Sequence, residues 1–294
     1  MKPAPFSLHL PDTLPEALDL LATGGNPRLI AGGQSLMPML NMRLVFPDDV
    51  IDLNGIAELS GIRLDRGDVV IGAMTRQRDI EFSPLVAENL PLLKEAILNV
   101  GHRQTRNRGT IGGSVCHLDP SAEQPTIAIA MDAVLTLQRA GGQRTVPMRD
   151  FAVDLMSSCL EPGEMLTALR FTPWPAHSGH GFVEYGRRHG DFAIVSAAAL
   201  VELAADGSVF RSSLTLGGVG LVPFRLTEAE GMLAGRPPED GLLTRACAVA
   251  GEQEALDDPA YPAWYRRRIA PRLLERALRL ALQRARTAPS EPTA

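Results

Sequence analysis

Two glycine pairs, far apart along the chain, set the tightest limit on how this sequence folds: Ala31-Gly32-Gly33-Gln34-Ser35 and Thr110-Ile111-Gly112-Gly113-Ser114. Glycine lacks a Cβ, so the backbone there reaches positive φ and its N–H groups can come close to an anion. The first pair follows a short apolar run and leads at Leu36 into a helix-like segment, whose leading amides also favour negative charge. Hydroxyls at Ser35, Thr110 and Ser114 add the side-chain donors that phosphate oxygens accept from. The expectation is a diphosphate gripped from two sides. Neither pair fits G-x-G-x-x-G or G-x-x-x-x-G-K-[ST], which disfavours the two commonest nucleotide folds. Lysine occurs only at Lys2 and Lys94. Arg103, Arg106 and Arg108 lead into the second pair and either neutralise phosphate or form a solvated face.

Periodicity places a strand at Phe6–Leu10, a helix over Leu14–Ala22 capped by Thr13, and a strand from Arg28 to Ala31, a β-α-β opening. A strand at Asp49–Leu53 closes a first subdomain near position 55, and a hairpin spans 61–72 around Arg66-Gly67-Asp68. Helices are expected at Thr75–Phe82 and Pro84–Val100, then the second glycine loop, a helix Ser121–Ala130 capped by Ser121, a hairpin around Gly141-Gly142, and a strand at Met165–Phe171. The breaker-rich stretch from Pro173 to Gly181 reads as a domain boundary. Beyond it, strands at Ile194–Leu203 and Val209–Leu216 precede helices at Thr227–Leu233, Gly241–Glu254 and Ala263–Arg286, an α+β arrangement. The expected division is 1–176 (subdomains 1–55 and 56–176), 177–286, and a flexible tail 287–294.

The 294 residues suffice for two domains, and a net charge of −5 argues against a broad nucleic-acid surface. No basic n-region precedes an apolar core at the N-terminus, and no stretch reaches the roughly 18 apolar residues of a membrane span, so the cytoplasm is the expected location. Cys116, Cys159 and Cys247 are widely spaced and read as buried thiols, with no C-x-x-C pair for zinc or a cluster. The absence of G-x-S-x-G weighs against acyl transfer. His177 and His180 sit amid Pro and Gly with no carboxylate adjacent in sequence, a weak basis for a metal site. Glu123 begins a helix, where the dipole favours a carboxylate, or it bonds cofactor hydroxyls. Phe192 packs in the core, the placement sequence alone favours, or lies against a flat ring. The arginines of the last helix, Arg266 to Arg286, form a solvated face or a subunit contact.

These motifs together resemble the FAD-binding medium subunit of the molybdenum hydroxylase family, which includes xanthine and carbon monoxide dehydrogenases. Arg106-Asn-Arg-Gly-Thr-Ile-Gly-Gly-Ser114 with His117 and Asp119-Pro120, Gly163-Glu-Met-Leu166, Arg187-Arg-His-Gly-Asp191 with Phe192, and Leu216-Gly-Gly-Val219 carry the resemblance over nearly the whole chain. It implies a vanillyl-alcohol-oxidase-type (PCMH) FAD-binding domain of two α/β subdomains followed by a smaller α+β domain that covers the flavin. It further implies non-covalent FAD, with Ala31, Gly32, Gly33, Gln34 and Ser35 and then Thr110, Ile111, Gly112, Gly113 and Ser114 at the diphosphate, and Leu36 among the cofactor-binding residues. Glu123 would stand by the ribityl or adenosine side, Leu166 near the adenine or ring edge, and Asp191 with Phe192 beside the isoalloxazine, with His117 also among the cofactor-binding residues. The family often has Lys where this chain has Glu184, and Tyr or another residue where it has Phe192. Implied partners are a small subunit with two [2Fe–2S] clusters and a large molybdopterin subunit, as a dimer of heterotrimers passing electrons to an external acceptor. Two further readings are a free-standing FAD oxidoreductase acting on a small substrate and a non-enzymatic assembly module.

Overall fold

The computed structural model describes residues 2–288; the expected tail lies outside the described residues from position 289 on. The chain opens with β1 (Ser7–His9), α1 (Leu14–Thr23), β2 (Pro27–Ile30), α2 (Leu36–Asn41) and β3 (Asp49–Asp52), giving a parallel three-stranded sheet in the order β1-β3-β2. The Thr13 hydroxyl accepts the Glu16 N–H at 3.4 Å and fixes the start of α1. Ala17 and Leu18 on its inner face pack with Ile51, Leu53 and Leu59.

A hairpin follows, β4 (Ile62–Asp65) and β5 (Asp68–Gly72), then α3 (Gln77–Phe82), α4 (Pro84–Asn89) and α5 (Pro91–Ile97). The apolar pattern from Pro84 to Val100 predicts one helix, but Leu90 precedes a proline and is pushed to φ −130°, ψ 56°, which splits it. Next come α6 (Arg103–Arg108), α7 (Ile111–His117) and α8 (Glu123–Ala130). The second glycine stretch, expected as a loop, is therefore mostly helix. Thr110 caps it, accepting the Gly113 N–H at 3.0 Å, and Leu118 ends it in the left-handed region at φ 51°. Ser121 does not cap α8; Ala122 holds that position, and the Ser121 N–H donates to the Asp119 carboxylate at 2.9 Å. The hairpin β6 (Val134–Arg139) and β7 (Gly142–Pro147), a short helix α9 (Met148–Phe151), a small hairpin β8 (Ala152–Asp154) and β9 (Ser157–Ser158), and β10 (Met165–Phe171) complete this part. Its antiparallel sheet runs β4-β5-β10-β6-β7, and α5, α7 and α8 cover it with Leu92, Leu93, Ile97, Ile111, Val115 and Ile127.

The remaining chain forms an antiparallel sheet of β11 (Gly179–Tyr185), β12 (Val195–Leu203), β13 (Val209–Gly217) and β14 (Phe224–Arg225) with α10 (Thr227–Leu233), α11 (Asp240–Ala248) and α12 (Ala263–Thr287). Alternation divides its faces. Ala197, Ala199, Val201, Leu214 and Leu216 meet α12 residues such as Leu274, Ala277 and Leu278, whereas Phe182, Ala198 and Leu200 join the core of the preceding part. Gly179 and Gly181, read from sequence as linker, belong to β11; a Cβ on either would run into the carbonyls of Ala281 or Ala277 on α12. His177 and His180 each find a carboxylate from another element, Glu202 at 3.2 Å and Glu95 at 3.5 Å. No metal-holding cluster occurs among the described residues. No helix there is long and apolar enough to cross a membrane.

One arginine of α12 is neither solvated nor at a surface. Arg266 is 5% exposed and donates to the Ile194 carbonyl at 2.5 Å, the Gly218 carbonyl at 2.6 Å and the Asp258 carboxylate at 2.5 Å. The Gly218 N–H in turn donates to the Pro120 carbonyl at 2.7 Å, so the strut reaches the segment leading into α8. Replacing Arg266 with Met strands two buried carbonyls. Denaturant unfolding of Arg266→Met is expected to show a loss of about 3 kcal/mol, against a few tenths for an exposed arginine such as Arg268.

Candidate functional site

The chain leaves β2 through Gly33, whose φ of 70° lies in the left-handed region, and turns into α2. The turn is held by its own groups: the Met37 N–H donates to the Gly33 carbonyl at 3.1 Å and Gln34 Nε2 to the Gly32 carbonyl at 3.0 Å. The amides of Gly32, Gly33, Gln34, Ser35 and Leu36 have no acceptor among the described residues, and Ser35 stands before α2 with no side-chain capping bond. A run of uncommitted N–H groups on a fixed turn is what an anion's oxygens require.

The second glycine pair has a different part. Gly112 and Gly113 are helical, and their amides are engaged: Ile111 donates to Thr75 at 3.2 Å, Gly112 to the Ala73 carbonyl at 2.9 Å and Gly113 to the Thr110 hydroxyl. Gly112 is glycine because a Cβ would overlap Ala73. A Cβ on Gly32 would strike the Arg108 carbonyl and Gly109, and one on Gly113 would lie 3.6 Å from that of Ala31. The two stretches thus converge, as expected, but open amides are on the Gly32–Leu36 side alone. The hydroxyls of Ser35 and Ser114 make no hydrogen bond to described residues.

Arg76, which sequence reasoning missed, ties the two turns together. Its guanidinium donates to the Arg108 carbonyl at 3.0 Å and to the Asn54 side-chain oxygen, while Asn54 Nδ2 donates to the Ala31 carbonyl at 3.0 Å. Burial, and then the charge of Arg108, depresses the Arg76 pKa. No carboxylate lies within ion-pair range of Arg76 or Arg108 among the described residues, so both remain available to a bound anion. The available signal was position: Arg76 follows the β4–β5 hairpin and bridges to Thr110. Arg106 fits neither role considered for it. It is 8% exposed, paired with Glu81 at 2.8 Å and donating to the Val100 carbonyl at 3.0 Å.

At the far end of α7 lie His117, half-buried with its pKa lowered by burial against the opposing pull of Asp119, and Glu123, whose carboxyl is pushed up to about 7 chiefly by burial. Leu166 is buried in the main core. The loop between β11 and β12 carries Asp191, near Arg187 at 3.7 Å, and Phe192, which is 60% exposed and not in the core. Gly190, at φ 87°, lies so close to the His102 ring that a Cβ would overlap it, which seats the loop on the segment entering α6. Cys116 and Cys247 are kept as thiols by burial, each pushed up to about 12.

Comparison with known proteins places these features in a family. The description "FAD binding domain in molybdopterin dehydrogenase" matches residues 4–174, and "CO dehydrogenase flavoprotein C-terminal domain" matches residues 180–281. The chain is 39% identical to the 6-hydroxypseudooxynicotine dehydrogenase complex subunit alpha of Paenarthrobacter nicotinovorans, over 97% of each chain. It is 36% identical to the carbon monoxide dehydrogenase medium chain of Afipia carboxidovorans, covering 97% of this chain and 100% of that one. A carbon monoxide dehydrogenase structure from Hydrogenophaga pseudoflava superposes with a TM-score of 0.94 at 35% identity, covering 97% of this chain and 99% of that one. With both parts of the chain matched and relatives spanning nearly its full length, the protein belongs to the FAD-binding medium-subunit family of the molybdopterin-dependent dehydrogenases, which are oxidoreductases.

Proposed function

We propose that this chain carries non-covalent FAD as the electron-transfer subunit of a multi-subunit molybdenum hydroxylase, taking electrons from [2Fe–2S] clusters on a small partner and passing them to an external acceptor. The observation that carries the reading is the run of uncommitted amides from Gly32 to Leu36, packed against α7 and flanked by Arg76 and Arg108, neither of them in an ion pair among the described residues. A bound flavin supplies the redox chemistry by accepting and releasing electrons; the protein binds, orients and shields it. The amides of Gly32, Gly33, Gln34, Ser35 and Leu36 would hold one side of the diphosphate, with Ala31 as the wall between the turns. The Ser35 and Ser114 hydroxyls would complete the grip, while Thr110, Ile111, Gly112 and Gly113 let α7 come close rather than donating their amides.

In the same reading, His117 and Glu123 stand beside the ribityl or adenosine portion, Leu166 backs the site from the core, and Asp191 with Phe192 flanks the isoalloxazine. An exposed aromatic ring on a loop seated by Gly190 on His102 supports that placement. Substrate hydroxylation belongs to a large molybdopterin subunit, in a cytoplasmic dimer of heterotrimers. The division of labour follows residues 1–176 for the cofactor, with subdomains 1–55 and 56–176, and 177–286 as the covering domain.

The test is titration of the purified chain with FAD, followed by flavin fluorescence and absorbance, with and without the two partner subunits. One equivalent of retained FAD is expected; a chain that takes up none in either setting rules the proposal out. Ser114→Ala removes one hydroxyl donor without touching the fold, so its dissociation constant is expected to rise about 5-fold to 10-fold with no change in unfolding midpoint. Gly32→Val is uninformative about ligand contact, because its side chain meets the Arg108 backbone and the fold itself gives way.

A further inference from the structure

A chain with a net charge of −5 is positive along one edge of the proposed cofactor site. Helix α6 reads Arg-Gln-Thr-Arg-Asn-Arg and contains no acid; Arg106 turns inward to Glu81, while Arg103 and Arg108 are exposed. Contacts extend this band at both ends. At the end of α6 the Arg78 guanidinium donates to Asn107 Oδ1 at 3.3 Å and lies 5.8 Å from the centre of the Phe82 ring, a side chain 63% exposed. The adjoining Arg108 backbone is the one that Gly32 packs against and that Arg76 bonds at 3.0 Å, so the band borders the open amides. At the start of α6, His102 carries the loop between β11 and β12, because a Cβ on Gly190 would overlap its ring. The loop is closed on itself by the Asp191 N–H, which donates to the Arg188 carbonyl at 3.2 Å. It exposes Arg187, Arg188 and His189 and ends at the exposed Phe192. Against these cations stand Asp191, 3.7 Å from Arg187, and Asp79 and Asp52, whose charges reach Arg76 without pairing with it. Arg78, Arg103, Arg108 and Arg188 form no ion pair with the described residues.

The six residues of α6 alone span about 9 Å, and the band continues past both of its ends. A small anionic ligand such as a dinucleotide is held in a concave pocket that buries most of its surface. Here the cations are exposed on a helix and a loop, with an exposed aromatic ring toward either end, and Arg with aromatic residues is the composition enriched in protein interfaces. A band of one charge also raises the encounter rate with a partner of the opposite charge. We propose that this band, from Arg78 through Arg103 to Arg188, is the docking surface for an acidic one-electron carrier protein, which is the external acceptor. The proposal rests on the flavin reading for the source of the electrons, and not for the charge of the band. Two carrier molecules in turn take one electron each from fully reduced FADH2, whose two protons leave to water, so FAD is restored and each carrier is reduced once.

Cytochrome c, native or succinylated, offers the same haem inside a cationic or an anionic surface. The full chain is loaded with FAD, photoreduced without oxygen and mixed with each form, and flavin reoxidation is followed by absorbance. At about 0.01 M ionic strength the succinylated form is expected to react at least about 10-fold faster than the native form, and at about 1 M the two rates converge. Arg103→Gln/Arg188→Gln removes most of that advantage and leaves reoxidation by uncharged benzoquinone unchanged. Arg245→Gln/Arg276→Gln, which takes two exposed cations from α11 and α12, keeps it. Equal rates for the two cytochromes at low salt, or equal losses in the two double variants, overturn the proposal. Reoxidation by NAD+ that falls in Arg103→Gln/Arg188→Gln assigns the band to a nucleotide and overturns it as well. Calorimetry of the flavin-free chain with each cytochrome separates the two readings. A preference for the succinylated form that Arg103→Gln/Arg188→Gln abolishes upholds the band even where the chain takes up no FAD and the flavin reading fails; no preference sinks the band whatever the flavin does.

Discussion

Everything in this molecule that bears on ligand binding depends on one close approach, the backbone of Gly32 against that of Arg108 and Gly109. A side chain at Gly32 would push apart a parallel β-α-β unit and an antiparallel sheet that have separate cores. Hydrogen bonds then lock the contact: Arg76 holds the Arg108 carbonyl, Asn54 holds the Ala31 carbonyl, and the two side chains bond each other. A guanidinium bonded to neutral acceptors forms no ion pair among the described residues, so the lock also leaves positive potential beside the open amides. Structure and electrostatics share the same residue.

The second half of the chain is fastened to the first by the same economy. Its sheet uses one face for α12 and the other for the flavoprotein core, which requires small residues at the crossing points, Gly179 and Gly181 against α12 and Gly217 against Thr126. Polar bonds fix the register of that contact, with the Ser213 hydroxyl donating to the Ala130 carbonyl at 2.7 Å and Arg284 on α12 reaching the His180 carbonyl at 2.8 Å. Arg266 closes the circuit by fixing the two backbone points, Ile194 and Gly218, from which the Phe192 loop departs and the Pro120 contact is made. An exposed aromatic side chain on a loop whose base is held this way starts from a defined position.

Much of this was legible in the sequence where local rules agree with tertiary ones. Thr13 capped α1, β10 ran from Met165 to Phe171, and Thr227–Leu233 formed α10, all as periodicity and capping predict. The α7 helix was not legible, because two adjacent glycines lower helix propensity by about 1 kcal/mol each and read as a loop. Tertiary contact overrides that propensity, since only glycine lets the helix reach Ala73. Arg106, in the basic lead-in to the glycine motif, turned inward to Glu81, while Arg76, remote in sequence and given no part from its position, reached the site. Periodicity carries no information about which of several arginines finds a buried acid.

The proposed diphosphate grip gives the amide run a physical rationale that a simple bend lacks. Each unpaired N–H kept from water would cost about 1–3 kcal/mol, so five in succession are tolerable only where solvent or a ligand can reach them. The start of α7, by contrast, satisfies its amides internally, on Thr75, Ala73 and Thr110. Here Gln34 and Met37 spend their donors on the carbonyls of Gly32 and Gly33, which stiffens the turn while leaving its amides open. Because its shape is fixed in advance, little ordering cost remains to be met when an anion binds.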